Sequence, residues 1–413
     1  VTKPIIRSLL DTDFYKFTMG RYIQQYHPNA QVRFELINRS KHVRLADIIP
    51  WSAISEQLRE VRSLQFNRSE LHWLRGTNEY QDRMFPETYL SHLDNLVLPE
   101  WDLSRSSDDN YIIRVSGLWK DVTYWETYIL SIVNELRFHY LTHRLSLLDL
   151  DAIKAKSIIR LKEKVDILKK YPQITFSDFG TRRRVSYDWQ YQVNEYLANE
   201  LSGQFLGTSN AKIAMDLGLL PMGTNAHELQ QVVVGQCSGS ASRMQEALKE
   251  FGKTWATMYG KGLRIALPDT FGTDAFLKYG PTDLPQWKGF RHDSGDPYVF
   301  ANKIIDWYKQ RGEDPKQHII IFSDSLTVET IVKLWETFHD QIQVTFGWGT
   351  DLTFDLGGEI APISIVCKVT EVDGHAAVKL SDNIAKAVGP ALDIEYYKQV
   401  FGYTNTYSQL CRT

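Results

Sequence analysis

Along much of the chain, short apolar runs end in polar or glycine-bearing clusters and alternate with longer stretches whose apolar residues recur at helical spacing. The runs predict strands at Ile112–Val115, Ile174–Phe176, Gln204–Leu206, the segment from Gly218 that leads to His227, Leu263–Leu267, Trp287–Phe290, His318–Phe322 and Val344–Phe346. The periodic stretches predict helices over about 121–147, where Val122, Ile129, Val133, Leu136 and Tyr140 share a face, and over about 151–170, 186–201, 238–259, 296–310 and 325–338. Asp296 before Pro297 is a helix cap with proline in the first turn. Strand and helix alternating this often, with enough strands to close, argue for a βα barrel over an open sheet.

The first 110 or so residues follow another rhythm. Thr12 or Asp13 is expected to cap a helix that runs to about Tyr26 and stops at Pro28. Gln31–Asn38 alternates Val32, Phe34 and Leu36 with polar residues, the mark of a half-buried strand. Residues 51–75 read as helical pieces broken near Asn67, and Arg39, Lys41, His42 and Arg44 as a solvated basic loop. The polar, aspartate-rich segment 102–110 is the natural place for a boundary or long loop. The expected organisation is therefore an α/β layer over 1–110 and a barrel domain over 111–369.

Composition narrows the class. With 413 residues and 43% hydrophobic content, the chain can build a full core without staples. Its three cysteines, Cys237, Cys367 and Cys411, are odd in number and far apart, so neither a disulfide framework nor a paired-cysteine metal site is expected, and a reducing cytoplasm is. A formal net charge of −3 excludes a globally basic nucleic-acid binder but leaves room for a local anion pocket. No signal-like or membrane-length apolar run is evident, and a chain starting at Val1 is expected to have lost an initiator methionine.

In a barrel, residues at the carboxyl ends of strands converge on one mouth. Those ends carry Asp178-Phe-Gly-Thr-Arg-Arg-Arg184, Gly207-Thr-Ser-Asn210, Gly223-Thr-Asn-Ala-His-Glu228, Pro268-Asp-Thr-Phe-Gly272, Arg291-His-Asp-Ser-Gly-Asp296, Phe322-Ser-Asp-Ser325 and Phe346-Gly-Trp-Gly-Thr-Asp351. The last two have the composition of phosphate cradles, in which glycine turns backbone N–H groups toward an anion. Arginines at 182–184 offer planar forks for carboxylate or phosphate, although a triple arginine is more often a solvated face. Asp269, Asp293, Asp296 and Asp324 supply carboxylates for ribose hydroxyls or magnesium. A lone histidine is by default a hydrogen-bonded structural residue; in this company His227 is a candidate nucleophile, since imidazole can accept a phosphoryl group. Tyr15, in the first helical turn, is either core or a flat ring for a flat substrate.

Together with Thr12-Asp-Phe-Tyr-Lys-Phe-Thr-Met19, these clusters run in an order that resembles the nicotinate phosphoribosyltransferases from residue 12 to about 350. The resemblance implies ATP-assisted transfer of phosphoribosyl from phosphoribosyl pyrophosphate to nicotinate, with magnesium as cofactor. It also implies an irregular, incompletely closed βα barrel, an amino-terminal layer completed by about 370–413, and a homodimer with shared sites. By the same likeness His227 is phosphorylated by ATP, with Glu228 or an aspartate across the mouth orienting its ring and Asp293 at the reaction centre. Nicotinate would lie between Phe179 and a partner subunit's Tyr15, near Arg182, Thr208 and Ser209; Ser209 stands where nicotinamide-using relatives carry an aspartate. Phosphoribosyl pyrophosphate would meet Asp269, Arg291, Ser323, Gly347, Gly349 and Thr350. Trp348 is bulkier than the residue expected between those glycines. Nicotinamide or quinolinate transfer, and a non-catalytic phosphate-sensing barrel, are the alternatives.

Overall fold

The computed structural model describes residues 3–409, so Cys411 lies outside the described residues. Seven strands form an all-parallel sheet in the order Leu220–Pro221, Phe205–Thr208, Phe176–Asp178, Gln343–Trp348, Ile319–Phe322, Gly289–His292 and Ile265–Ala266. These are the apolar runs of the sequence with ends shifted by a residue or two. Buried on both faces, they read as unbroken apolar segments rather than as alternation. The sheet curls but the two-residue end strands do not pair with each other, so the barrel is irregular and open, as expected. Helix His227–Gly235 follows one edge strand after the loop 222–226. The cap at Asp296 is made: its carboxylate accepts from the N–H groups of Tyr298 (2.8 Å) and Val299 (3.0 Å).

One strand read as part of the barrel belongs elsewhere. Tyr111–Leu118 lies in a five-stranded antiparallel sheet ordered His375–Ala376, Ile365–Val372, Gln31–Asn38, Tyr111–Leu118 and Trp101–Arg105. Tyr111, Ile113 and Val115 are buried while Ile112 and Arg114 are only half-buried, a period of two that marks a strand with one covered face. The segment 102–110 is accordingly no long linker: Trp101–Arg105 pairs with Tyr111–Val115 as a hairpin. Strand Ile365–Val372 crosses back from the far end of the chain to pair along nearly the whole of Gln31–Asn38.

Between the two sheets runs helix Trp125–Thr142, buried on nearly all sides along its first half and packed against strand Ile365–Val372, helix Trp51–Arg62 and the turn Thr181–Arg183. The break near Asn67 is a full capping box, Asn67 and Glu70 satisfying each other's backbone. Helix Tyr15–Tyr26, by contrast, has no side-chain cap; Phe14 occupies the capping position and Asp13 is engaged elsewhere. Among the described residues no helix is long and apolar enough to cross a membrane.

Candidate active site

Carboxyl ends of the parallel strands open onto a cavity of about 600 Å³. His227 is the first residue of its helix and only 4% exposed. Its Nδ1 pairs with Thr270 Oγ1 at 2.9 Å and its Nε2 with Asp293 Oδ2 at 3.0 Å, with Asp269 Oδ1 at 3.5 Å from the same nitrogen. Burial outweighs the pull of these carboxylates and brings the imidazole down to about 4, so it is neutral near pH 7 and carries a lone pair. Burial would raise Asp293, yet the His227 hydrogen bond and the Arg291 charge hold it well below the ordinary carboxylate range. Facing only carboxylate oxygens, Nε2 carries the ring proton, which leaves the nucleophilic lone pair on Nδ1, and the helix's positive end favours an anionic phosphoryl group there.

This arrangement has a consequence for acid stability. The folded-state value of His227 is depressed below its unfolded value near 6.5, so its contribution is present above that pH and lost as pH falls towards about 4. The loss amounts to roughly 3 kcal/mol. Urea midpoints measured from pH 7 to pH 4 should fall more steeply for the wild-type chain than for His227→Asn; parallel slopes would contradict it.

Glu228, the next residue, is not a partner of the ring. Its carboxylate points the other way and accepts from Lys16 Nζ (2.5 Å), Thr123 Oγ1 (2.6 Å) and Trp119 Nε1 (2.7 Å), all buried. Consecutive residues at a helix start point about 100° apart, so only one of the two can face the cavity. Asp269 sits behind His227 rather than on the cavity wall, 1% exposed and bonded to Ser294 Oγ at 2.5 Å.

Tyr15, Phe179, Arg182 and Ser209 line one corner of the cavity. This chain's own Tyr15 lines the cavity, and Gly223 (φ +140°) lets the loop before His227 pass against the Tyr15 backbone. Arg182 lies 5.7 Å from the Tyr15 ring centroid and pairs with Asp13 at 3.0 Å. Ser209 Oγ donates to the same Asp13 carboxylate at 2.7 Å. The uncharged hydroxyl therefore does not leave this corner free of negative charge: Asp13 brings a carboxylate from the segment just before the amino-terminal helix and Arg182 compensates it. Thr208 is fully buried and serves the frame, donating to Asp178 at 2.8 Å.

At the other end, Arg291, Asp293, Ser323, Gly349 and Thr350 line the wall. Ser323 Oγ lies 3.2 Å from Asp293 and Arg291 donates to Asn225 O at 3.1 Å. Ser325 holds a left-handed backbone (φ 53°), strain that a non-glycine residue carries only where the loop is firmly set. Gly347 does not touch the cavity. A Cβ there would meet the Phe179 ring at 2.3 Å, so this glycine makes room for the aromatic wall instead of cradling an anion. Trp348, one residue on, points to the opposite face of the strand and is fully buried against Phe176, which is why its bulk is tolerated.

The three arginines separate completely. Arg184 is buried and grips Asp11 with two bonds (2.5 and 2.8 Å) and Glu135 with a third (2.7 Å). Arg183 lines the cavity, its side chain has no hydrogen-bond or ion-pair partner among the described residues, and it is brought down to about 10 by burial and by the charges of Arg182 and Arg39. Arg39 itself reaches the cavity wall from the loop read as solvated.

Lys368, Lys379 and Lys386 also line the cavity and were not anticipated. Lys386 pairs with Asp324 at 2.7 Å; burial brings Lys379, beside Asp269 at 4.0 Å, down to about 8. One signal was present, a lysine at 368 inside the apolar run Ile365-Val-Cys-Lys-Val369. The same carboxyl-terminal segment buttresses His227, since Leu380 N–H donates to Thr270 O at 2.8 Å. His227, Asp269 and Asp293 each offer one atom within 4.8 Å of the others, a possible cation seat.

Comparison with known proteins agrees with this fold. Residues 174–405 match the model of the nicotinate phosphoribosyltransferase (NAPRTase) family, and residues 10–134 match the model of that family's N-terminal domain. A crystal structure of nicotinate phosphoribosyltransferase from Porphyromonas gingivalis is 30% identical, with 96% of this chain and 100% of that one covered at a TM-score of 0.84. A putative nicotinate phosphoribosyltransferase from Saccharomyces cerevisiae is 30% identical over 98% and 100% of the two chains, TM-score 0.85. The enzyme from Vibrio cholerae is 30% identical over 98% and 95%, TM-score 0.84.

Proposed function

This chain belongs to the nicotinate phosphoribosyltransferase family, and from that premise we propose that it joins nicotinate to phosphoribosyl pyrophosphate with ATP assistance through a phosphohistidine at His227, in NAD salvage. The observation that carries the reading is the neutral His227, held between Thr270 and Asp293 in the same cavity as the Tyr15–Phe179 walls and the serine and glycine loops.

In this reading the pyridine ring lies against Phe179 and Tyr15 with its carboxylate towards Arg182, while Arg183 is left for an anionic group of the donor. Ser323, Gly349 and Thr350 hold the 5'-phosphate, Arg291 meets the diphosphate and Asp293 the ribose. The ribosyl C1 gains positive character as diphosphate departs, and nicotinate's ring nitrogen, which needs no base near pH 7, attacks from the aligned position. Fixed cations around the leaving group do most of the work. A hard divalent cation such as magnesium would be held by Asp293 on the cavity wall, with the unpartnered Asp269 Oδ1 behind it, and would supply positive charge against the diphosphate. Phosphorylated His227 would bring Thr270 and Asp293 into a new arrangement that favours donor binding.

The test supplies the purified chain with phosphoribosyl pyrophosphate and, in separate reactions, nicotinate, nicotinamide or quinolinate, each with and without ATP. Nicotinate-dependent pyrophosphate release with matching ADP is the expected result. Preference for another pyridine would reassign the substrate, and no pyrophosphate from any of them would turn the reading towards a sensing barrel.

A further inference from the structure

Beneath the cavity floor lies a carboxylate that the reaction outlined above does not use. Glu126, in the first turn of helix Trp125–Thr142, is 2% exposed. Its Oε1 meets Lys368 Nζ at 3.0 Å and Arg182 Nη1 at 3.6 Å; its Oε2 meets Lys16 Nζ at 2.7 Å and the Tyr15 hydroxyl at 3.5 Å. Tyr15, Arg182 and Lys368 are cavity-lining groups from three separate segments of the chain. Lys16, fully buried, passes the connection on to Glu228 at 2.5 Å, the residue next to His227.

We propose that Glu126 is a positioning residue: from below the floor it sets Tyr15, Arg182 and Lys368 in register with one another, and through Lys16 and Glu228 it ties them to the helix start that carries His227. The proposal rests on the functional reading above, because it gives those three groups an anionic substrate to meet. A buried ammonium or guanidinium is held where its carboxylates are, since moving away leaves both charges uncompensated in a low-dielectric interior. Arg182 has a second carboxylate in Asp13, and Lys16 has a second in Glu228. Lys368 has only Glu126 among the described residues. Removal of the Glu126 charge should therefore release Lys368 most.

Two effects of Glu126→Gln oppose each other, and their signs separate a positioning role from a bystander. Taking a negative charge from under the floor makes the cavity more positive, which alone would tighten anion binding. Losing the anchor leaves Lys368 without a fixed place, which weakens it. If Glu126 positions, KM for both substrates should rise roughly tenfold in Glu126→Gln with kcat changed far less, and pyrophosphate binding by calorimetry should weaken by a similar factor. Glu126→Asp should recover part of the loss. In a Lys368→Met background most of the Glu126→Gln effect should vanish, because the two act as one unit.

Unchanged or tighter pyrophosphate binding in folded Glu126→Gln, or effects that simply add to those of Lys368→Met, would overturn the proposal. If Glu126→Gln does not fold, the Glu126→Asp and Lys368→Met cycle decides by the same criterion. Wild-type chain that binds pyrophosphate but turns over no nicotinate would count against the enzymatic reading alone, since the calorimetric comparison stands without turnover.

Discussion

Replacing His227 by asparagine is expected to abolish phosphoryl transfer from ATP to the protein and to lower ATP-stimulated kcat/KM by on the order of 10²–10⁴-fold. Asparagine puts an amide atom where Nδ1 meets Thr270 at 2.9 Å, so the fold and the cavity walls should survive although the 3.0 Å bond of Nε2 to Asp293 is lost. What it lacks is a nucleophilic nitrogen. Burial brings that nitrogen to about 4 in the wild-type chain, so the reactive form is already present near neutral pH and no separate base has to create it. The measurement is labelling with γ-labelled ATP alongside the ratio of ADP to nicotinate mononucleotide formed. Label retained in His227→Asn, or full ATP stimulation of turnover, would remove the phosphohistidine from the mechanism.

The second large effect concerns stability and the neighbouring arginines. Arg184→Met is expected to destabilise the chain by about 3–5 kcal/mol, because it strands the buried Asp11 that now takes two bonds from the guanidinium. Glu135 suffers less: burial already holds it up at about 7 against the Arg184 charge, so it can shed its own charge by taking a proton. Arg183→Met, one position earlier, should leave stability within about 1 kcal/mol and raise KM for an anionic substrate on the order of tenfold, since Arg183 has no protein partner to lose. Urea titrations of the two variants with steady-state kinetics on Arg183→Met check both halves. Similar stability losses in the two would mean that Arg183 is structural.

That contrast shows where reading the chain stops. A triple arginine after Phe179-Gly180 signals a cationic strand end, and nothing in the run distinguishes its members. In the folded chain a tight 3₁₀ turn at Thr181–Arg183 sends Arg182 to Asp13, Arg183 into the cavity and Arg184 inward to Asp11. The two aspartates come from a segment about 170 residues earlier, a separation that no local spacing encodes.

The misassigned strand has a similar origin. Ile112–Val115 is apolar enough to pass for a barrel strand, and its alternation was the better guide to a sheet with one covered face. Strand Ile365–Val372, which pairs with Gln31–Asn38 and brings Lys368 to the cavity, lay beyond the motifs, and its lysine gains meaning only from the Glu126 beneath it.

Periodicity by itself determined the alternating strands and helices, the parallel sheet they build, the break near Asn67 and the capped start at Asp296, because propensity, burial pattern and capping are local and act over a turn or a pleat. It also placed His227 at the junction of a strand end and a helix start. Only the tertiary structure decided which side chains meet: that Asp293 and Thr270 rather than Glu228 hold the imidazole, that Gly347 yields space to Phe179, and that Asp13 restores a charge beside Ser209. Those outcomes depend on the direction of each side chain and on partners 43 to 196 residues away, and both are fixed by packing the two sheets around helix Trp125–Thr142.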